Sequence, residues 1–259
     1  MEGKFSKETV LEQIQKTKEN IRKAALSSGR SEDDVILLAA TKTVDAQTIN
    51  FAIDNGITCI GENRVQELLE KYDEINKDKV DIHFIGSLQT NKVKYIADKV
   101  SMIHSVDSVK LAKEIDKQCK KIGKVMNVLV EINIGREESK GGIMPEECES
   151  FLGEISQFEN IKVCGLMTIP PRCEVQNFEL NSVSFDVEND EKMSCSKISY
   201  KNRDFFQKIM KLFLDISQKK LDNIYMQYLS MGMSDDYEQA VREGSNIVRI
   251  GRGLFGSRT

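Results

Sequence analysis

The sequence predicts a (β/α)8 TIM barrel of parallel strands, preceded by one extra N-terminal helix. Three observations carry that expectation: eight short apolar runs, helical periodicity between them, and polar or glycine-rich residues following most of the runs. Strand followed by helix, repeated, implies parallel strands joined by right-handed crossovers. Eight such units in about 225 residues fit a closed barrel better than an open doubly wound sheet, which stays the alternative.

Residues 6–28 come first, with Val10, Leu11, Ile14, Ile21 and Ala25 at helical spacing and charge on the other faces. Candidate strands follow at 35–40, 58–60, 82–85, 102–104, 126–133, 163–167, 226–229 and 247–250. After Gly61, Val65, Leu68, Leu69 and Tyr72 repeat as one helical face. After Arg203, Phe205, Ile209, Leu212, Phe213 and Ile216 form another stripe. One segment, 172–202, follows Pro170-Pro171 and shows neither a helical nor an alternating period. It reads as a mobile loop inserted between the sixth strand and its helix.

Composition bounds the chemistry. The 259 residues are 40% hydrophobic and 30% charged, with a formal net charge of -4, as in an ordinary globular protein. That charge gives no reason to expect nucleic acid or an anionic membrane as partner, so an anionic ligand needs a local site. The N-terminal segment lacks the apolar core of a signal peptide, and no run approaches a membrane span. A cytoplasmic protein is expected. The cysteines at 59, 119, 148, 164, 173 and 195 form no C-x-x-C pair, which disfavours zinc and a disulfide framework.

In a barrel of this kind, functional groups gather where strands end. The first strand runs into Thr41-Lys42-Thr43, the second into Gly61-Glu62-Asn63-Arg64. Lys42, at a mouth partly shielded from water, would hold its amine neutral more readily and attack an aldehyde. A lone lysine more often snorkels to solvent. The loops after strands seven and eight shift that balance. Residues 230–234 and Gly251-Arg252-Gly253 have the glycines and serines of a phosphate cup, although each cluster alone is equally an ordinary turn. An amine facing such a cup suggests a phosphorylated aldehyde, of which pyridoxal 5′-phosphate (PLP) is the common one.

At this point the chain resembles the pyridoxal phosphate homeostasis protein family, formerly the proline synthase co-transcribed family. The matching residues are Ala40-Thr41-Lys42-Thr43, Gly61-Glu62-Asn63-Arg64-Val65-Gln66-Glu67, and His83-Phe84-Ile85-Gly86-Ser87-Leu88-Gln89-Thr90-Asn91-Lys92. Further matches lie at 103–108, 135–141 and 165–169, then at 229–234, 248–251 and 255–256. The resemblance implies an alanine racemase N-terminal-type barrel with PLP bound as a Schiff base to Lys42. It further implies Arg249 opposite the pyridine nitrogen, and Asn63 in the pocket. Backbone N–H groups of Gly251 and Arg252, with Ser230 or Ser234, would take the phosphate. Two departures are Ile82, where the family carries an aromatic residue, and a longer segment at 172–202.

Those residues weigh against catalysis. PLP is a strong electron sink when its ring nitrogen is protonated. A guanidinium cannot accept a proton, so Arg249 would keep that nitrogen unprotonated. Racemases share the arginine but draw a second acid/base group from an extra domain and a partner subunit, and this chain ends just past the last strand. The expectation is a non-catalytic carrier that stores PLP or delivers it to apo PLP-dependent enzymes, as a monomer. A weak amino-acid racemase and a Schiff-base aldolase without PLP are the alternatives. Lys92 and Lys94 read as a solvated helix face, with Lys92 and Lys140 as candidates for a transient second PLP site. His83 and His104 read as hydrogen-bonded barrel-core residues. The cysteines read as structural, with Cys59 and Cys164 candidates to lie near the pocket.

Overall fold

The computed structural model describes residues 6–171, 190–219 and 221–256, with side chains in the middle segment described from Asn202 onward. Eight strands close in sequence order: β1 (Ile36–Ala40), β2 (Cys59–Glu62), β3 (Asp81–Phe84), β4 (Met102–Val106), β5 (Met126–Ile132), β6 (Ile161–Thr168), β7 (Ile224–Ser230) and β8 (Ile247–Ile250). Neighbouring strands pair in parallel. β1 also pairs with β8, Leu38 opposite Arg249 and Ala39 opposite Ile250, which closes the barrel and sets the first strand beside the last. The barrel is therefore as the sequence predicts.

Around it lie α1 (Lys7–Ser27), α2 (Ala46–Asp54), α3 (Val65–Lys71), α4 (Val109–Lys121), α5 (Cys148–Ile155), α6 (Asp190–Ser217), α7 (Tyr237–Arg242) and α8 (Arg252–Phe255). Between β3 and β4 the chain forms a 3-10 turn, Thr90–Tyr95. Lys92 and Lys94 sit on that turn over the Tyr95 ring, 5.9 and 4.9 Å from its centroid. The additional helix α1 buries Val10, Ile14, Ile21, Ala24 and Ala25 and packs against α2, α7 and α8, outside the β8–β1 seam. Ser6 caps it by accepting the Thr9 N–H. Asn20 Nδ2 donates to Tyr237 Oη at 2.9 Å, and Arg30 donates to the carbonyls of Val241 and Ser245.

Alternation along each strand divides the apolar residues. Ala39, Ile60 and Val128 belong to the layer beneath the helices, whereas Leu38, Ala40, Cys59, Leu129 and Cys164 fill the barrel interior. β2 and β4 run two residues beyond the apolar runs, through Glu62 and Val106, because the barrel buries polar residues there: Glu62, His104 and Ser105.

The reading of 172–202 as one loop needs correction. α6 begins at Asp190, so its first turns occupy the last part of that segment, and residues 172–189 lie outside the described residues. No glycine or proline interrupts 190–217, and a helix anchored by a downstream apolar face extends through polar residues at little cost per residue. The predicted stripe packs against the core, with Phe206 added to it as a fully buried residue. Phe206, Ile209 and Ile216 are buried, while Phe205, Leu212 and Phe213 pack only partly.

Cys59, Cys119, Cys148 and Cys164 are free and buried, and burial pushes the Cys119 thiol up to about 11 and that of Cys148 up to about 12. Such thiols are unreactive at neutral pH. Among the described residues no helix is long and apolar enough to cross a membrane.

Candidate functional site

Lys42 lies immediately past β1. Thr41 is buried and Lys42 half-buried. The Val44 N–H donates to the Thr41 carbonyl at 3.0 Å, closing a turn with Lys42 and Thr43 at its centre. Asn63 follows β2. Its Oδ1 is buried and has no hydrogen-bond partner. The Asn63 backbone is brought in by Gly86, where an added Cβ would lie 2.1 Å from the Asn63 carbonyl oxygen. Ser105 Oγ donates to the Gly86 carbonyl at 2.6 Å and holds that contact in place.

Arg249, on β8, is buried inside the barrel. Nη1 donates to Ser230 Oγ at 2.6 Å and Nη2 to the Thr168 carbonyl at 2.9 Å. His104 Nδ1 lies 3.2 Å from the same hydroxyl, and His104 Nε2 lies 3.0 Å from His83 Nδ1. The short His104–His83 contact needs one ring nitrogen to donate and the other to accept, which two neutral imidazoles satisfy. Both imidazoles are neutral in that arrangement. Burial agrees, holding His83 down at about 4 and His104 well below the usual imidazole range, with His83 and Arg249 lowering His104 further. The two histidines are hydrogen-bonded barrel residues, as expected from sequence. Burial pulls Arg249 down to about 10, against the opposing pull of Glu131 and Asp236, so the guanidinium stays charged at neutral pH.

The histidines give the fold a pH dependence of defined sign. Their native pKa values lie below the unfolded value of about 6.5, so unfolding takes up protons as the pH falls. Stability contributed by neutral His83 is complete above that unfolded value and is lost as the pH drops toward its native value of about 4. Between about pH 7 and about pH 5, His83 alone should account for a loss of about 2 kcal/mol. Urea unfolding at a series of pH values should show this slope in the natural chain and a shallower one in His83→Gln. Parallel pH profiles for the two proteins would contradict it.

The loop after β8 passes close to the end of β1, and the loop after β7 is joined to it. An added Cβ on Gly251 would lie 3.2 Å from the Ala40 carbonyl oxygen, two residues before Lys42. Ser234 Oγ accepts the Gly253 N–H at 3.1 Å, joining the two loops. On the outside, Arg252 Nη2 contacts both carboxylate oxygens of Asp235 at 2.7 and 2.6 Å, so the Arg252 side chain faces solvent while its backbone lines the loop. Asp236, buried, accepts the Met233 N–H at 2.7 Å and Asn202 Nδ2 at 2.6 Å, which ties the loop after β7 to α6.

Lys42, Asn63, Ser230, Ser234, Arg249, Gly251 and Arg252 thus all fall at strand ends or on the segments that follow them. The geometry separates the two serines. Ser230 Oγ is taken up by Arg249 and His104 inside the barrel, whereas Ser234 stands in the outer loop against Gly253. Of the two cysteines expected near the pocket, Cys59 Sγ approaches His83 Nδ1 at 3.5 Å, and Cys164 bonds Asn127 and the Lys162 carbonyl. Lys140 pairs with Glu137 and donates to the Pro170 carbonyl at 3.3 Å. Sequence reasoning assigned no role to Asp236, Asn202 or the buried pair Glu62–Lys71, and nothing in the spacing around Lys71 marks it as buried. A separate cleft of about 400 Å³ between α3, the 90–95 turn and α4 lies outside the barrel, lined by Leu69, Tyr95 and Ile122 among others.

Comparison with known proteins agrees with this fold. A family model described as alanine racemase, N-terminal domain, matches residues 13–259. The pyridoxal phosphate homeostasis protein of Aquifex aeolicus is 41% identical over 247 residues, spanning 95% of this chain and 97% of that protein. The protein of the same name from Pseudomonas aeruginosa is 34% identical over 250 residues, spanning 96% of each. Among solved structures, PipY of Synechococcus elongatus PCC7942 with PLP bound superposes with a TM-score of 0.71 at 28% identity, covering 92% of this chain and 99% of that one.

Proposed function

Because this chain belongs to the pyridoxal phosphate homeostasis protein family, we propose that it binds PLP as a Schiff base to Lys42 and stores or delivers it to apo-enzymes in the cytoplasm. The observation that carries this reading is the convergence of the Lys42 turn with the loops after β7 and β8, through the contact between Gly251 and Ala40. An amine after β1 and a cluster of backbone N–H groups and serine hydroxyls after the neighbouring β8 and β7 suit an aldehyde that bears a phosphate. The unpartnered amide of Asn63 supports the same reading, since a bound polar group would satisfy it in either orientation of the amide.

Bound there, the cofactor supplies an electrophilic carbonyl and an electron-withdrawing ring. Arg249, charged and held by Ser230 and Thr168, would face that ring and offer its nitrogen no proton. Ser234 with the backbone of Gly251 and Arg252 receives the phosphate, and Ser230 serves to orient Arg249. Ser234→Ala should weaken PLP binding about tenfold, the loss of one charge-assisted hydrogen bond, and leave pyridoxal, which lacks the phosphate, unaffected. Equal losses for both ligands in equilibrium titrations would remove Ser234 from the phosphate site.

Delivery distinguishes a carrier from an enzyme. Loaded protein mixed with an apo PLP-dependent enzyme should activate it at least as fast as an equal amount of free PLP, and the carrier is expected to remain a monomer by light scattering. Turnover of D- or L-alanine should not exceed that of Lys42→Ala. Clear turnover above that control, without cofactor transfer, would favour the racemase reading.

A further inference from the structure

Lys42 occupies a strained turn. Its neighbour Thr43 adopts φ 63°, the left-handed region that a β-branched residue rarely enters. A conformation of that kind persists only where the surroundings impose it. Here the surroundings are specific. Lys71, the last residue of α3, sends its Nζ to the Thr41 carbonyl at 2.8 Å, to the Val44 carbonyl at 3.1 Å and to Glu62 Oε1 at 2.6 Å. The three donors of one ammonium are thereby engaged, two of them on the carbonyls that bracket the turn. Glu62 is fully buried at the end of β2, and its Oε1 also accepts the Thr41 hydroxyl. From the outer side Glu67 Oε2 accepts the Thr43 N–H at 3.0 Å.

A buried ion pair is a poor device for stability alone, because apolar residues of similar volume generally serve as well or better. This one even leaves Glu62 Oε2 buried without a hydrogen-bond partner. Its contacts are concentrated on the turn that carries Lys42. We propose that Lys71 and Glu62 are positioning residues for Lys42: together they fix the turn 41–44 so that the Lys42 amine is presented to an aldehyde in one orientation. The proposal rests on Lys42 being the amine that takes PLP.

The test is the double substitution Glu62→Leu/Lys71→Met, which removes both charges while keeping volume. Two quantities are read: the rate at which PLP becomes borohydride-trappable on Lys42, and, in PLP-free protein, the acetylation of Lys42 by trace acetic anhydride across pH. The double variant should stay folded, since the charges leave together, yet incorporate PLP about 10- to 100-fold more slowly, with Lys42 acetylation altered toward that of an exposed lysine. A folded double variant with both readouts unchanged overturns the proposal. Lys71→Arg keeps the charge but cannot reach both carbonyls and Glu62 in the way one ammonium does. It provides an independent check should the double variant fail to fold; slower incorporation supports the positioning role and unchanged incorporation refutes it. Natural protein that labels at a lysine other than Lys42 would overturn the premise as well, a pattern distinct from either outcome.

Discussion

Lys42→Ala should abolish the visible absorbance that PLP acquires on joining the protein, and lower PLP affinity by at least roughly a hundredfold, about 2.8 kcal/mol. Removing the amine removes the covalent bond and leaves only the phosphate and ring contacts. The fold should survive, because the turn is tied through backbone groups: the carbonyls of Thr41 and Val44 to Lys71, and the Thr43 N–H to Glu67. A change in unfolding free energy of no more than about 1 kcal/mol is expected. Spectrophotometric titration checks the first part and urea unfolding the second. A variant that retains the band would move the Schiff base to another lysine, with Lys92 and Lys140 the first to be examined.

Arg249→Met should have the largest effect on the fold itself, a destabilisation of about 3–5 kcal/mol. The guanidinium sits at the centre of a buried network. Its loss strips Ser230 Oγ and the Thr168 carbonyl of their donor, and removes the positive charge that offsets the raised pKa values of Glu131 and Asp236. On the proposed reading PLP affinity should fall with it, since the ring nitrogen would lose a facing charge. Arg249→Lys should recover part of the charge but not the two-pronged geometry, and so lie between the two proteins in denaturant unfolding. A methionine variant as stable as the natural chain would contradict the buried network.

The barrel was legible because eight apolar runs and the helices between them repeat with little interruption. Strand ends were less so. At β2 and β4 the apolar runs end at Ile60 and His104, while the strands continue through buried polar residues held by neighbouring segments, Glu62 by Thr41 and Lys71 and Ser105 by the Gly86 carbonyl. The start of α6 was hidden for a related reason: residues 190–202 lack an apolar stripe, and the helix is anchored from Phe206 onward. Among site residues, Lys42 and the glycine-serine loops announce themselves by type and by position after a strand. The division of labour between Ser230 and Ser234 does not, because it depends on which way each hydroxyl faces across the barrel. Lys71 was invisible for the same cause. In sequence it is one charged residue at a helix end, and only the closure of β1 against β2 sets it beneath the Lys42 turn.

The most direct test of the site is borohydride reduction of the natural protein after incubation with PLP, followed by digestion and mass mapping of the adduct. One phosphopyridoxyl group on Lys42 is the expected outcome. An adduct confined to Lys92 or Lys140, or no adduct in a folded protein offered excess PLP, would contradict the convergence of β1 with the β7 and β8 loops on a single aldehyde.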